Sequence, residues 1–312
     1  MKLKIINKHT CDAGMKVGII GAGAWGTALA IVAARAGNKA VLWSSEEKTA
    51  REINKKHKND YLPGIVISHE ITATTNISDM RGMDIWLITT PTEFFKDVIK
   101  KSRSFWKKQP IIICAKGIEP GSGKLLSDVV ADIIPGADKF IGVLSGPQYA
   151  GEVADGEPTG STIAGDAKVR EASRCALRGL YLEDSNDMTG VQLCGIGKNA
   201  VALLLGYLDG QGAGENERAL KLTLAWQEIM SFSRPFRVKP ETFGMLCGIG
   251  DLFLTASSKT SRNYSAGFAM AKKRRISGTV EGIAALKWII KTARTHKLGL
   301  PILSEFAENV VL

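Results

Sequence analysis

Apolar and polar positions follow two different periods along this chain. Short apolar runs at 17–20, 40–43, 85–89, 111–114 and 140–144 are rich in β-branched residues and bounded by Gly, Pro or polar positions. Such runs are the pattern of strands buried on both faces of a mostly parallel sheet. Longer amphipathic stretches separate them. The one at 27–36 stops at Gly37-Asn38, a proper helix C-terminus. Alternating β and α elements predict a doubly wound sheet. From about 190 the strand-like runs vanish, and 191–208, 215–232, 240–254, 265–273 and 280–296 all carry helical spacing. Pro240 suits the first turn of a helix, and Leu298-Gly299 followed by Pro301 reads as one helix stopping and another starting. The segment 151–186 joins the two patterns without a firm assignment, and no internal repeat is visible. The expected architecture is an α/β N-terminal Rossmann-type doubly wound domain over 15–189, followed by an all-α C-terminal domain over 190–312. Residues 1–14 form an N-terminal extension.

Composition narrows the class. At 312 residues the chain suits two domains, and 45% hydrophobic with 23% charged content excludes disordered and collagen-like chains. The apolar runs 111–115 and 201–205 are too short to span a bilayer, and 1–14 has no apolar core of a signal peptide. The five cysteines (Cys11, Cys114, Cys175, Cys194, Cys247) form no CxxC pair and are odd in number. That usage fits reduced thiols and a cytoplasmic location. Lys and Arg number 41 against 31 Asp and Glu, a net charge of +10. The densest groups, Lys55, Lys56 and Lys58, then Lys272, Lys273, Arg274 and Arg275, lack the interleaved aromatics of a nucleic-acid module. No nucleic-acid partner is expected, and the excess charge favours an anionic small molecule.

The sharpest local motif is Gly21-Ala22-Gly23-Ala24-Trp25-Gly26, between the strand at 17–20 and the helix from Thr27. Gly21 permits the tight turn, Gly23 lets the backbone approach a pyrophosphate, and Gly26 allows close helix–strand packing. The helix N-terminus adds free N–H groups and a positive dipole end. After the second strand, no acid stands at Trp43, Ser44 or Ser45, although Glu46 and Glu47 follow. Lys48 or Arg51 would reach a 2′-phosphate, so the expected dinucleotide is NADPH or either form, written NAD(P)H.

Two further strand ends carry candidate chemistry, because ligands of open α/β sheets lie beyond the carboxyl ends of strands. One delivers Lys116-Gly117, the other Ser145-Gly146-Pro147-Gln148-Tyr149-Ala150. In the helical half, Lys198 sits in a strongly apolar stretch, where desolvation and nearby cations lower a lysine pKa toward proton transfer near neutrality. Asp251 follows Gly248-Ile249-Gly250 and is placed to orient that lysine or to cap a helix. The polar turn Ser261-Arg262-Asn263 offers a planar guanidinium to a phosphate. The four histidines are scattered, and no metal signature, nucleophile elbow or P-loop is present.

Seven motifs stand in order: GAGAWGTALA (21–30), NDYLPGI (59–65), AKGIE (115–119), SGPQYAGEV (145–153), LCGIGKNAVA (193–202), GIGDLFLTASSKTSRNYSAG (248–267) and VEG (280–282). Together they resemble the bacterial biosynthetic form of the NAD(P)-dependent glycerol-3-phosphate dehydrogenases over about 15–303. The resemblance implies reversible reduction of dihydroxyacetone phosphate to sn-glycerol 3-phosphate for phospholipid synthesis, with Lys198 as catalytic acid/base. It implies substrate contacts at Lys116, Gly146, Gln148, Lys198, Asp251, Ser261, Arg262 and Asn263. Cofactor contacts would be Gly21, Gly23, Ala24, Trp25, Gly26, Lys116, Ala150, Arg262 and Glu281. No metal is implied. A homodimer without stable membrane insertion is the family-level expectation. The chain departs from the family pattern at Ile196-Gly197, Gly214-Glu215-Asn216 and Thr223-Leu224-Ala225, and Ser44 replaces a common arginine after Trp43. The alternatives are a related dehydrogenase of another hydroxy acid or phosphorylated sugar, and a dinucleotide-binding protein without activity.

Overall fold

A computed structural model describes residues 14–276, 278 and 280–310. The expected extension 1–14 therefore lies outside the described residues except for Gly14. Eight strands form one sheet: β1 (Lys16–Ile20), β2 (Lys39–Trp43), β3 (Thr72–Thr74), β4 (Ile85–Ile88), β5 (Ile111–Ile113), β6 (Ile141–Ser145), β7 (Gly160–Gly165) and β8 (Tyr181–Ser185). Their order is β3-β2-β1-β4-β5-β6-β7-β8. β1 pairs in parallel with β2 and β4, β2 with β3, β4 with β5, β5 with β6, and β7 with β8. The order reverses between β1 and β4, and such a switch point opens a crevice at the carboxyl ends of the strands.

The five apolar runs all become strands, because Val17, Ile19, Leu42, Ile85, Leu87 and Ile112 are buried. β3, β7 and β8 escape the sequence pattern. β3 is only three residues long, and β8 is a largely polar run, YLEDS, with no residue fully buried. The segment 151–186 thus resolves into β7, β8 and two helices, Ala150–Asp155 and Ala167–Ala176.

The chain forms two compact units. Among the described residues, the first comprises those up to 115, 124–144 and 148–188; the second comprises 116–123, 145–147 and those from 189 onward. The first holds the sheet and its helices. In the second, the helix Met188–Gln211 is buried along nearly its whole length. By length and composition alone it is long and apolar enough to cross a bilayer, a property shared by core helices, and 94% of its most apolar window is buried inside protein. Apart from the buried Gln192, Lys198 and Asn199, its buried positions are mostly apolar or glycine. A Cβ at Gly206 would lie 1.9 Å from Tyr264 O, and one at Gly267 would lie 1.9 Å from Leu203 O, so this helix and Arg262–Ala271 touch backbone to backbone.

The predicted single helix at 240–254 is corrected. The chain makes a short 3₁₀ turn Pro240–Gly244, a π-helical turn Leu246–Gly250 and the α-helix Asp251–Ala256. Three glycines in eleven residues weaken a continuous helix. A Cβ at Gly248 would also stand 2.2 Å from Phe243 O, an approach only glycine permits. Cys114, Cys194 and Cys247 are buried. Cys175 is disulfide-bonded, which corrects the reading that all the thiols are reduced; linear spacing carries no information on which sulfurs meet in space.

Candidate functional site

The first unit carries a ligand cradle. β1 ends at Ile20, and the backbone N–H of Gly21 donates to Trp43 O at 3.0 Å, so the ends of β1 and β2 meet at the glycine turn. Thr89 Oγ1 donates to Gly21 O at 2.8 Å and Thr90 Oγ1 to Ile20 O at 2.9 Å, pinning the turn to the segment after β4. Helix Ala24–Arg35 has no side-chain cap and no acid in its first turn. Its leading N–H groups and dipole are therefore left for an external anion. A Cβ at Gly26 would sit 1.9 Å from Gly21 O, whereas one at Gly23 would meet nothing within 4 Å. Space over Gly23 is open, which fits a pyrophosphate. Ala24 and Trp25 are half-buried beside it. Gln148 Oε1 accepts from Ser161 Oγ at 2.7 Å, while its buried Nε2 has no hydrogen-bond partner. Ala150 opens the helix Ala150–Asp155.

The second unit gathers charge. Asp251 is 1% exposed and binds two lysines at once. Its Oδ2 accepts from Lys116 Nζ at 2.5 Å, and its Oδ1 lies 3.2 Å from Lys198 Nζ. Lys116 Nζ also donates to Gly146 O at 3.0 Å. Lys198 Nζ donates to Thr255 Oγ1 at 2.9 Å, and Thr255 Oγ1 donates to Asp251 Oδ1 at 3.2 Å. Burial pushes the Lys198 ammonium below its ordinary pKa and the Lys116 charge adds to this, while Asp251 pulls the other way. For Asp251, burial alone would raise the carboxyl. Lys116 and Lys198 outweigh it and hold the carboxylate ionised, below its usual range. A buried anion between two cations is the arrangement that makes both charges tolerable.

Beside this cluster runs an amide chain. Asn199 Nδ2 donates to Glu281 Oε2 at 3.1 Å, Asn263 Nδ2 donates to Asn199 Oδ1 at 2.8 Å, and Gly282 N donates to Asn263 Oδ1 at 2.9 Å. Ser261 caps the helix Arg262–Ala271 by accepting from Tyr264 N, and Arg262 is exposed at its first turn. Of the predicted residues, Lys116, Gly146, Lys198 and Asp251 form one hydrogen-bonded cluster, and Asn263 and Glu281 are joined through Asn199. Gly21, Gly23, Ala24, Trp25 and Gly26 form the separate cradle, with Gln148 and Ala150 in the same unit. Thr255 and Asn199 were missed by the sequence reading. The only available signals were their spacings: Thr255 is one helical turn beyond Asp251, and Asn199 is adjacent to Lys198. Among the described residues, no group of three His, Cys, Asp or Glu is placed to hold a metal.

Residues 16–170 match the family described as the NAD-dependent glycerol-3-phosphate dehydrogenase N-terminus, and 187–310 match its C-terminus. The chain is 38% identical over 299 residues to a glycerol-3-phosphate dehydrogenase [NAD(P)+] of Rhodospirillum rubrum, covering 92% of this chain and 85% of the relative. A similarly named protein of Caulobacter vibrioides is 37% identical over 299 residues, with 92% and 90% covered. Among solved structures, the glycerol-3-phosphate dehydrogenase of Coxiella burnetii aligns with a TM-score of 0.87 at 31% identity, over 95% of this chain and 94% of that one.

Proposed function

The chain belongs to the NAD-dependent glycerol-3-phosphate dehydrogenase family, and from that premise we propose how its residues divide the work. Its reaction is the NAD(P)H-dependent reduction of dihydroxyacetone phosphate to sn-glycerol 3-phosphate, reversible and able to supply glycerophospholipid synthesis. When bound, the dinucleotide supplies hydride to the C2 carbonyl carbon of the ketone. Lys198 donates a proton to the C2 oxygen as charge develops there, and in the reverse direction its neutral amine accepts that proton. Its lowered pKa brings this exchange toward neutral pH. Asp251 holds the amines of Lys198 and Lys116 in one buried frame, and Thr255 fixes the Lys198 amine. Lys116 places a second cation beside the developing oxyanion. Ser261, Arg262 and Asn263 receive the phosphate end, and remote binding energy there orients the reacting carbonyl. The first unit serves as the dinucleotide domain and the second as the catalytic domain.

The single observation that carries this reading is the buried clamp of Asp251 on both lysines. The +10 net charge supports an anionic substrate, and the deep burial of Met188–Gln211 supports a protein that does not insert into membranes. A homodimer is part of the same proposal. Purified protein should oxidise NADH or NADPH only when dihydroxyacetone phosphate is added, and Lys198→Ala should lose at least about a thousandfold in kcat. Dinucleotide binding without substrate-dependent oxidation would overturn it.

A further inference from the structure

The cradle unit holds an acid that none of these roles uses. We propose that Glu46 makes this protein select NADH over NADPH, its carboxylate receiving the adenosine-side ribose hydroxyls and repelling a 2′-phosphate. The inference rests on the reading that the 21–26 turn holds the dinucleotide, and it reverses the expectation of NADPH or either form.

Position comes first. Gly21 N donates to Trp43 O, so the end of β2 lies against the glycine turn. Glu46 follows three residues later and 20 residues after Gly26 (46 − 26), the spacing at which an acid meets the ribose 2′-hydroxyl in dinucleotide folds. Its backbone is fixed: Ser44 N donates to Thr74 O at 2.9 Å, and Glu46 N donates to Ser44 Oγ at 3.1 Å.

The carboxylate is also held. Thr49 Oγ1 donates to its Oε2 at 2.6 Å, and the Tyr61 hydroxyl donates to its Oε1 at 2.8 Å. The Thr49 bond first, then the Tyr61 bond, keep the carboxyl below its usual range, so it is ionised at neutral pH. Each oxygen retains a lone pair for a ribose hydroxyl, and both Glu46 and Tyr61 are exposed. The segment carrying Tyr61 is tied to the cradle itself. Asn59 Nδ2 donates to Ala22 O at 2.9 Å and to Thr27 Oγ1 at 2.7 Å, and Tyr61 N donates to Asn59 Oδ1 at 3.0 Å.

The cation whose charge reaches the Glu46 carboxylate is Lys48, and it is already engaged. Lys48 is paired with Asp60 at 2.6 Å. Arg51 lies within the following helix, Glu47–Lys56, whereas Glu46 is the extended residue before it. A 2′-phosphate would therefore approach an anchored anion, with the Lys48 ammonium already held by Asp60.

Titrating full-length protein with NADH and NADPH separately, without substrate, and reading tryptophan fluorescence tests this directly. NADH should bind at least about tenfold more tightly than NADPH, the effect of one close like-charge contact in a partly hydrated site. Glu46→Gln should bring the two affinities within about threefold, weakening NADH and strengthening NADPH. Tyr61→Phe, which leaves the charge but frees the carboxylate, should weaken NADH by about threefold and leave NADPH unchanged. Lys48→Ala should change neither. Thermal melts of each variant establish that it is folded. Equal or tighter NADPH binding by the parent, an unchanged ratio in folded Glu46→Gln, or loss of NADPH affinity in Lys48→Ala overturns the proposal. Failure of the parent to bind either dinucleotide overturns it together with the cradle reading.

Discussion

Lys198 shows how one side chain acquires chemistry from its surroundings. Buried and close to Lys116, its ammonium is destabilised relative to an exposed lysine, and Asp251 restores only part of the loss. The pH consequence follows from the sign. Because its pKa is lowered, the neutral amine that the proposed acid/base role requires is available at lower pH than for a free lysine. The kcat for that oxidation should rise with pH through an inflection below the ordinary lysine value, and a profile still climbing at the pKa of free lysine would contradict it. Asp251→Asn removes the counter-charge shared by both lysines. It should shift the inflection further down and reduce kcat by about a hundredfold or more, since the Lys116 amine loses its anchor as well. Thr255→Val removes two hydrogen bonds, from Lys198 and to Asp251, without touching charge, so kcat should fall by about tenfold with little change in KM.

At the scale of elements, two features were invisible as patterns and follow from packing. The first is the π-helical turn before Asp251. Gly248→Ala forces a Cβ into the Phe243 carbonyl and should both lower Tm and misplace Asp251, giving a kcat loss that Gly244→Ala, where a Cβ meets nothing within 4 Å, does not share. The second is Glu228, buried on the helix Glu215–Phe232, whose carboxylate accepts from Ile302 N at 2.7 Å and Leu303 N at 2.9 Å. A glutamate on one helix thereby caps the start of another, Pro301–Asn309. Removing it as Glu228→Ala should cost about 1–2 kcal/mol of stability, the scale of a lost cap. Burial raises this carboxyl above its ordinary value and the two backbone donors offset only part of that. The stability from its protonated form is full below the unfolded-chain pKa and is lost as pH rises through the higher folded-state value. Tm of Glu228→Gln should therefore vary less than that of the parent across the acidic carboxylate range.

For the molecule as a whole, the basic residues are dispersed along the sequence and leave a net charge of +10. A long-range field of that kind speeds encounter with a phosphorylated substrate and is screened by salt. The kcat/KM for dihydroxyacetone phosphate should fall by about several-fold between low salt and about 0.5 M NaCl. A flat dependence would show that only the local cluster matters.

Much of this protein is legible without coordinates, for identifiable reasons. The five apolar runs became strands because burial on both faces leaves a continuous apolar signature, and the 21–26 turn announces itself because its glycines answer local steric demands. The helical second half is equally plain in its spacing. What tertiary structure decided is where the signal is not local. β3 and β8 are strands because neighbouring strands supply their hydrogen bonds, not because their side chains are apolar. The stretch 240–254 breaks because a carbonyl at Phe243 crowds Gly248. Lys116, Lys198 and Asp251 are candidates by type, but that one carboxylate binds both amines across separations of 135 and 53 residues (251 − 116 and 251 − 198) is a fact of packing. Residue type and period are properties of neighbours along the chain, whereas charge pairing and backbone approach depend on which distant segments the core brings together.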